Sequence, residues 1–169
     1  EDLLSVIPNA SRILDVPVGT GRFLSLYARR NFNVTGVDIS PDMLAEAKQK
    51  AATLNLDADL ELGSIFELPK ASASFDAVVC IRMLNWFEPP DMAKAVAELA
   101  RVSRGPVILS IRTFAENVSP GRAASIAAEK MFRKLFSGKP NGGATTVHRK
   151  ADFDRALADA RLRIAEERL

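Results

Sequence analysis

Short β-branched and apolar runs alternate along the chain with segments whose apolar positions recur every three or four residues, so strands and helices take turns from end to end. Residues 12–16 read as a first strand, followed by a glycine-containing turn and a helix over about 22–30. Residues 33–38 read as a second strand. Ser40 then offers an N-cap, with Pro41 at the first helical position, and opens a helix to about residue 54. A third strand follows at 58–62. The apolar run over 75–81 suits the buried middle of a parallel sheet. A helix over 89–102, stopped by Gly105, leads into a fifth strand at 106–111. Beyond it the pattern loosens into a helix near 123–136, a Gly/Pro-rich loop at 137–143, a last helix over 151–160 and a sixth strand over 162–169. Strands and helices in this order predict an α/β fold, doubly wound, with a mainly parallel sheet covered by helices on both faces.

Composition narrows the class without naming a function. At 169 residues the chain is long enough for one packed domain, 1–169, and too short for two. Its 47% apolar and 26% charged residues are those of an ordinary globular protein. A net charge of +2 is too weak to argue for nucleic acid, whose binders concentrate basic charge on one face. The single cysteine, Cys80, falls inside the run Ala77-Val78-Val79-Cys80-Ile81, which predicts a buried free thiol and fits a reducing cytoplasm. No apolar stretch approaches the roughly 20 residues that span a bilayer, and no charged-then-apolar leader opens the chain. Residues 1–7 lack an initiator Met and read as the end of an amphipathic helix, the pattern of a fragment.

The strongest chemical signal is Ile13-Leu14-Asp15-Val16-Pro17-Val18-Gly19-Thr20-Gly21-Arg22-Phe23-Leu24, a strand, a sharp glycine turn and a helix start. Glycines let a ligand pass against bare backbone, and the helix start offers N–H groups to an anionic group. A dinucleotide fingerprint wants a third glycine three residues after Gly21, where Leu24 stands. Asp15, at the strand's end, repels a pyrophosphate but attracts the ammonium and sulfonium charges of S-adenosylmethionine.

This motif resembles the first motif of the class I methyltransferases, acidic-x-Gly-x-Gly-x-Gly after strand one, with Pro17 in place of the first glycine. The resemblance continues in Val34-Thr35-Gly36-Val37-Asp38-Ile39-Ser40-Pro41-Asp42-Met43, where an acid ends strand two 17 residues after Gly21. It implies a Rossmann-like fold, S-adenosylmethionine as cofactor and S-adenosylhomocysteine as product. Asp38 would then accept both ribose hydroxyls, Ile39 would flank the adenine, and Pro17, Gly19, Gly21 and Met43 would line the same cofactor. A third segment, Glu61-Leu62-Gly63-Ser64-Ile65-Phe66-Glu67-Leu68-Pro69, resembles the family's Gly-Asp-x-x-x-Leu-Pro, with Ser64 replacing the acid that receives the adenine amino group and Ile65 supplying an apolar edge. A fourth, Ser74-Phe75-Asp76-Ala77-Val78, resembles the strand-four signature, in which Asp76 reads as a structural hydrogen-bonding residue.

In the family the loop after strand four borders the methionine part of the donor and the methyl acceptor. This implies Ile81 on the cofactor side and Arg82, Asn85 and Trp86 on the substrate side. The stretch after strand five commonly covers the acceptor, so 112–150 reads as a variable substrate-side insertion. Between Phe114 and Lys150 seven basic residues (Arg122, Lys130, Arg133, Lys134, Lys139, Arg149, Lys150) face two acids, Glu116 and Glu129, an excess that suits an anionic small molecule as well as a solvated helix face. His148, the one histidine, lies in the basic, surface-like stretch Thr145-Thr146-Val147-His148-Arg149-Lys150. It is not nominated as a base, because methyl transfer from an activated sulfonium needs chiefly alignment. No residue is singled out as catalytic, and no His/Cys cluster or spaced acid set points to a metal.

Two other readings use the same fold: a non-catalytic domain binding the cofactor or a partner protein, and a nicotinamide-dependent oxidoreductase, against which the missing third glycine speaks. The family topology places a seventh strand antiparallel between the fifth and sixth. Only six strands are counted here, so a seventh is expected from elsewhere.

Overall fold

The computed structural model describes residues 2–114 and 146–165. Five strands form one parallel sheet: β1 (Arg12–Asp15), β2 (Asn33–Asp38), β3 (Ala58–Leu62), β4 (Ala77–Cys80) and β5 (Val107–Leu109), in the order β3-β2-β1-β4-β5. The order reverses between β1 and β4, and the carboxyl ends of these two strands open the crevice where doubly wound sheets hold ligands.

Side-chain alternation sorts the core into two layers. Ile13, Ala77 and Val79 face α1 (Leu24–Arg29) and α2 (Pro41–Thr53), together with Tyr27, Val34, Leu44 and Ala47. Leu14, Val78 and Cys80 face α3 (Pro89–Val102) and α4 (Lys150–Asp159), together with Met92, Leu99 and Leu157. Helix α2 starts where Ser40 accepts the N–H of Met43, with Pro41 in the first turn. Helix α3 buries Met92, Ala95, Val96, Leu99 and Val102, the three-and-four spacing of a single apolar face.

Several element ends differ from expectation. Helix α1 begins at Leu24 rather than residue 22, because Arg22 and Phe23 still belong to the glycine turn. The apolar run over 75–81 exceeds its strand: Phe75 makes an isolated bridge to Ser103, and β4 ends at Cys80. Likewise β5 is confined to Val107–Leu109. Asp76 is structural, as expected: it accepts the N–H of Arg12 and pairs with Arg104, and these contacts hold its carboxyl below the usual range.

Residues 162–165 are not a strand. Arg161 takes a left-handed conformation, and the N–H of Leu162 turns back to the carbonyl of Leu157, ending α4, after which residues 162–165 pair with none of the described strands. Residues of β5 and of this segment, among them Val107, Leu109, Leu162 and Ile164, line an apolar groove of about 480 Å³. In place of the sixth strand, two short strands, β6 (Thr113–Phe114) and β7 (His148–Arg149), form a separate parallel ribbon. The helix expected near 123–136, the loop at 137–143 and residues 166–169 lie outside the described residues.

Candidate active site

The glycine turn after β1 and the end of β2 meet directly. Gly19 and Gly21 both have positive φ, at +55° and +72°, which side-chain-bearing residues rarely adopt. The N–H of Gly19 donates to Asp38 Oδ2 at 2.8 Å, and the N–H of Ser40 donates to Oδ1 at 2.9 Å. Asp38 is thereby buried and oriented, and each oxygen retains acceptor capacity. A Cβ on Gly19 would meet nothing within 4 Å, so there is open room against that stretch of backbone. On Gly21 it would fall 2.5 Å from Leu24 Cδ1. The amides of Gly21 and Leu24 are bonded within the turn, to Val18 and Gly21, so the start of this short helix does not offer them to a ligand. Pro17, half-buried and preceded by a cis peptide, stands between Val16, whose N–H goes to Val79, and Val18, whose N–H goes to Val37.

Asp15 lies beneath this turn, buried, with Tyr27 of α1 donating to its Oδ2 at 3.0 Å. Burial pushes its carboxyl up to about 7, against the pull of the Tyr27 bond and with the help of nearby Asp38. The tyrosine was not singled out from the sequence. Its signal is a phenol on the apolar face of a helix, since buried tyrosine hydroxyls usually find a partner.

Around Asp38 the surface is apolar: Ile39 is 71% exposed and Met43 of α2 is also exposed. Ser64 accepts the N–H of Phe66 at 3.2 Å and bridges to Glu67, which stabilises the turn after β3. Ile65, expected as an apolar edge for adenine, instead faces the core with Leu68 and Phe75. Phe66 is exposed and packs on Phe87, ring centroids 4.7 Å apart.

The loop after β4 divides its expected acceptor-side residues. Ile81 is half-buried and packs on the β1–α1 core layer. Arg82 is exposed with a left-handed backbone, and its carbonyl receives Trp86 Nε1–H, leaving the indole 53% exposed. Asn85, by contrast, is turned inward: its Nδ2 donates to the carbonyls of Arg112 and Thr146, and its Oδ1 accepts the N–H of Arg112. Its amide stitches backbone together and is not presented to the crevice. His148 also departs from expectation. It is 1% exposed rather than at the surface, because its strand pairs with β6 and its Nε2 lies 3.0 Å from the carbonyl of Leu84. Of the basic excess, Arg149 and Lys150 are paired with Asp152 and Asp154. The other five basic residues lie outside the described residues.

Residues 13–105 match the family model of a methyltransferase domain. A phosphatidylethanolamine N-methyltransferase from Cereibacter sphaeroides is 33% identical over 161 residues, 92% of this chain and 72% of that one. A ubiquinone biosynthesis O-methyltransferase from Hahella chejuensis is 33% identical over 152 residues, 85% and 63% of the two chains. The crystal structure of magnesium protoporphyrin IX methyltransferase from Synechocystis PCC 6803 with bound S-adenosylhomocysteine shares the fold, with a TM-score of 0.70 at 22% identity over 94% of this chain and 68% of that one. The chain thus spans only part of the length of its relatives. It belongs to the class I S-adenosylmethionine-dependent methyltransferases, whose methyl donor is S-adenosylmethionine and whose product is S-adenosylhomocysteine. This favours the methyl donor over the nicotinamide alternative.

Proposed function

We propose that the chain transfers a methyl group from S-adenosylmethionine to a small-molecule acceptor that combines an apolar body with an acidic group. The observation that carries the donor half is the Gly19–Asp38 bond, which joins the two motifs into one wall of a single crevice at the sheet's switch point. In this reading Asp38 receives the ribose hydroxyls with the lone pairs its two N–H partners leave free, while Ile39 and Met43 cover the adenine. Ser64 is the polar group at the adenine edge. Pro17, Gly19, Gly21 and Ile81 border the remaining donor chain, and Asp15 lies beneath it. The sulfonium supplies an activated methyl, so the protein's work is alignment, exclusion of water and placement of charge for an in-line attack by the acceptor's nucleophile.

The acceptor half rests on the loop after β4. Trp86 and the Phe66–Phe87 pair offer an apolar wall, and the exposed guanidinium of Arg82 offers a partner for an acidic group. Among the relatives, those named for phosphatidylethanolamine and magnesium protoporphyrin IX support an acceptor of this character. Residues 112–150 are read as the variable part on this side of one methyltransferase domain over 1–169. The buried, unpaired Cys80 suits the reducing cytoplasm as its setting. Transfer of a labelled methyl group, assayed with phosphatidylethanolamine vesicles and with magnesium protoporphyrin IX in detergent, tests the reading. Label appearing in either acceptor supports it. Donor binding without transfer to any acceptor tried would favour the non-catalytic alternative.

A further inference from the structure

Asp15 ends β1 with its carboxyl buried beneath the glycine turn. A carboxylate taken out of water needs a nearby cation or several N–H donors to remain charged. The titratable groups that bear on it among the described residues are three. Tyr27, from α1, donates one hydrogen bond at 3.0 Å. Asp38, at the end of β2, adds a second negative charge. Cys80, on β4, is a neutral thiol, its own ionisation pushed up to about 12 by burial and by Asp15. Among the described residues no cation acts on the carboxyl, and burial drives its ionisation up to about 7, with Tyr27 opposing and Asp38 adding to the shift. The positive charge missing from this cluster is the one the methyl donor carries and its product has lost.

We propose that Asp15 and Tyr27 form a proton-exchanging counter-charge that tells donor from product: in the ligand-free protein the buried carboxyl shares its site with a proton around neutral pH, and it releases that proton to solvent when the sulfonium-bearing donor binds. The inference rests on the donor-site reading above. The exchange balances as Asp15 COOH going to COO⁻ plus a solvent proton, with the donor's charge unchanged and the Tyr27 hydroxyl donating throughout. S-adenosylhomocysteine keeps the ammonium but lacks the sulfonium, so it draws out less of the proton. Preference for donor over product therefore grows as pH rises through neutrality, when the carboxyl no longer has to be ionised by the ligand.

Isothermal titration of the whole chain with S-adenosylmethionine, and separately with S-adenosylhomocysteine, tests this at pH 6, 7 and 8 in buffers of different ionisation enthalpy. The donor should release roughly half a proton at pH 7, and its affinity should fall toward roughly tenfold per pH unit below that. The product should release less. Asp15→Asn should abolish the difference between the two ligands. Tyr27→Phe removes the bond that helps the carboxylate, so it should move the midpoint of the donor's pH dependence upward, a displacement that a purely structural tyrosine would not cause. Thermal melting confirms that each variant is folded, and should either fail to fold, the wild-type proton count decides alone. Donor binding without proton release, or with equal release in folded Asp15→Asn, overturns the proposal. No binding of S-adenosylmethionine at any pH overturns the donor-site reading itself.

Discussion

The side-chain nitrogen of Asn85 donates to the carbonyl of Thr146 at 2.6 Å, across 61 positions of sequence, while its oxygen takes the N–H of Arg112 at 2.8 Å. One buried amide thus holds the loop after β4 to the chain on both sides of residues 115–145. His148 reinforces the junction through its contact with the Leu84 carbonyl. Asn85→Ala takes this partner from the N–H of Arg112 and the carbonyl of Thr146, while the Arg112 carbonyl keeps the N–H of His148, and a buried group so orphaned costs about 1–3 kcal/mol. Allowing for partial rehydration, we expect a loss of roughly 2–4 kcal/mol in urea unfolding. A loss below ~0.5 kcal/mol would mean that this junction is open in solution.

Asp15 gives stability a pH dependence of unusual sign for a carboxyl. Its folded ionisation, at about 7, lies above the 3.8 ordinary for an aspartate. Between those values the folded chain retains a proton that the unfolded chain has lost, so raising the pH through this window draws the equilibrium toward unfolding. Above about 7 the contribution levels off. Asp15→Asn removes it, and the variant's stability relative to the wild type should rise by ~2–4 kcal/mol between pH 4 and pH 8. Paired denaturation curves across that range measure the difference. A difference that stays constant with pH would show that the carboxyl is already ionised in the folded protein.

Gly19 and Gly21 separate backbone strain from steric conflict. Both sit at positive φ, but a side chain on Gly19 enters open space and one on Gly21 meets Leu24. Gly19→Ala should cost stability by about 1–2 kcal/mol, from the left-handed backbone alone. Its larger effect should be on donor binding, because the methyl group projects into the room the ligand takes. Gly21→Ala should cost more in stability, through Leu24. Melting temperature and S-adenosylhomocysteine affinity, measured on both, check the contrast, and it fails if Gly19→Ala binds like the wild type.

Much of this could be read from the residue pattern where local signals agree. The second strand at 33–38 and the helix over 89–102 have the bounds their periodicity and caps dictate. The ends of β4 and β5 were overextended, because apolar residues continue past the ladder into packing: Phe75 is buried through a lone bridge. The site divides in the same way. Asp38 beside the glycine turn was legible because spacing along two consecutive strands places them together. The inward turn of Asn85, the burial of His148 and the Tyr27–Asp15 bond were not, because each depends on where a separate segment packs. A histidine between basic residues looks like surface until its strand is paired.

The Gly19–Asp38 wall is most directly tested by the affinity of S-adenosylhomocysteine for Asp38→Ala, compared with the wild type by isothermal titration. Hydrogen bonds to a charged group are worth about 1.5–3 kcal/mol, so the variant should bind roughly tenfold to a hundredfold more weakly while melting as a folded protein. NAD, titrated in parallel, should give no saturable heat with either. An unchanged dissociation constant in folded Asp38→Ala would contradict the ribose role of Asp38 and with it the account of the donor site.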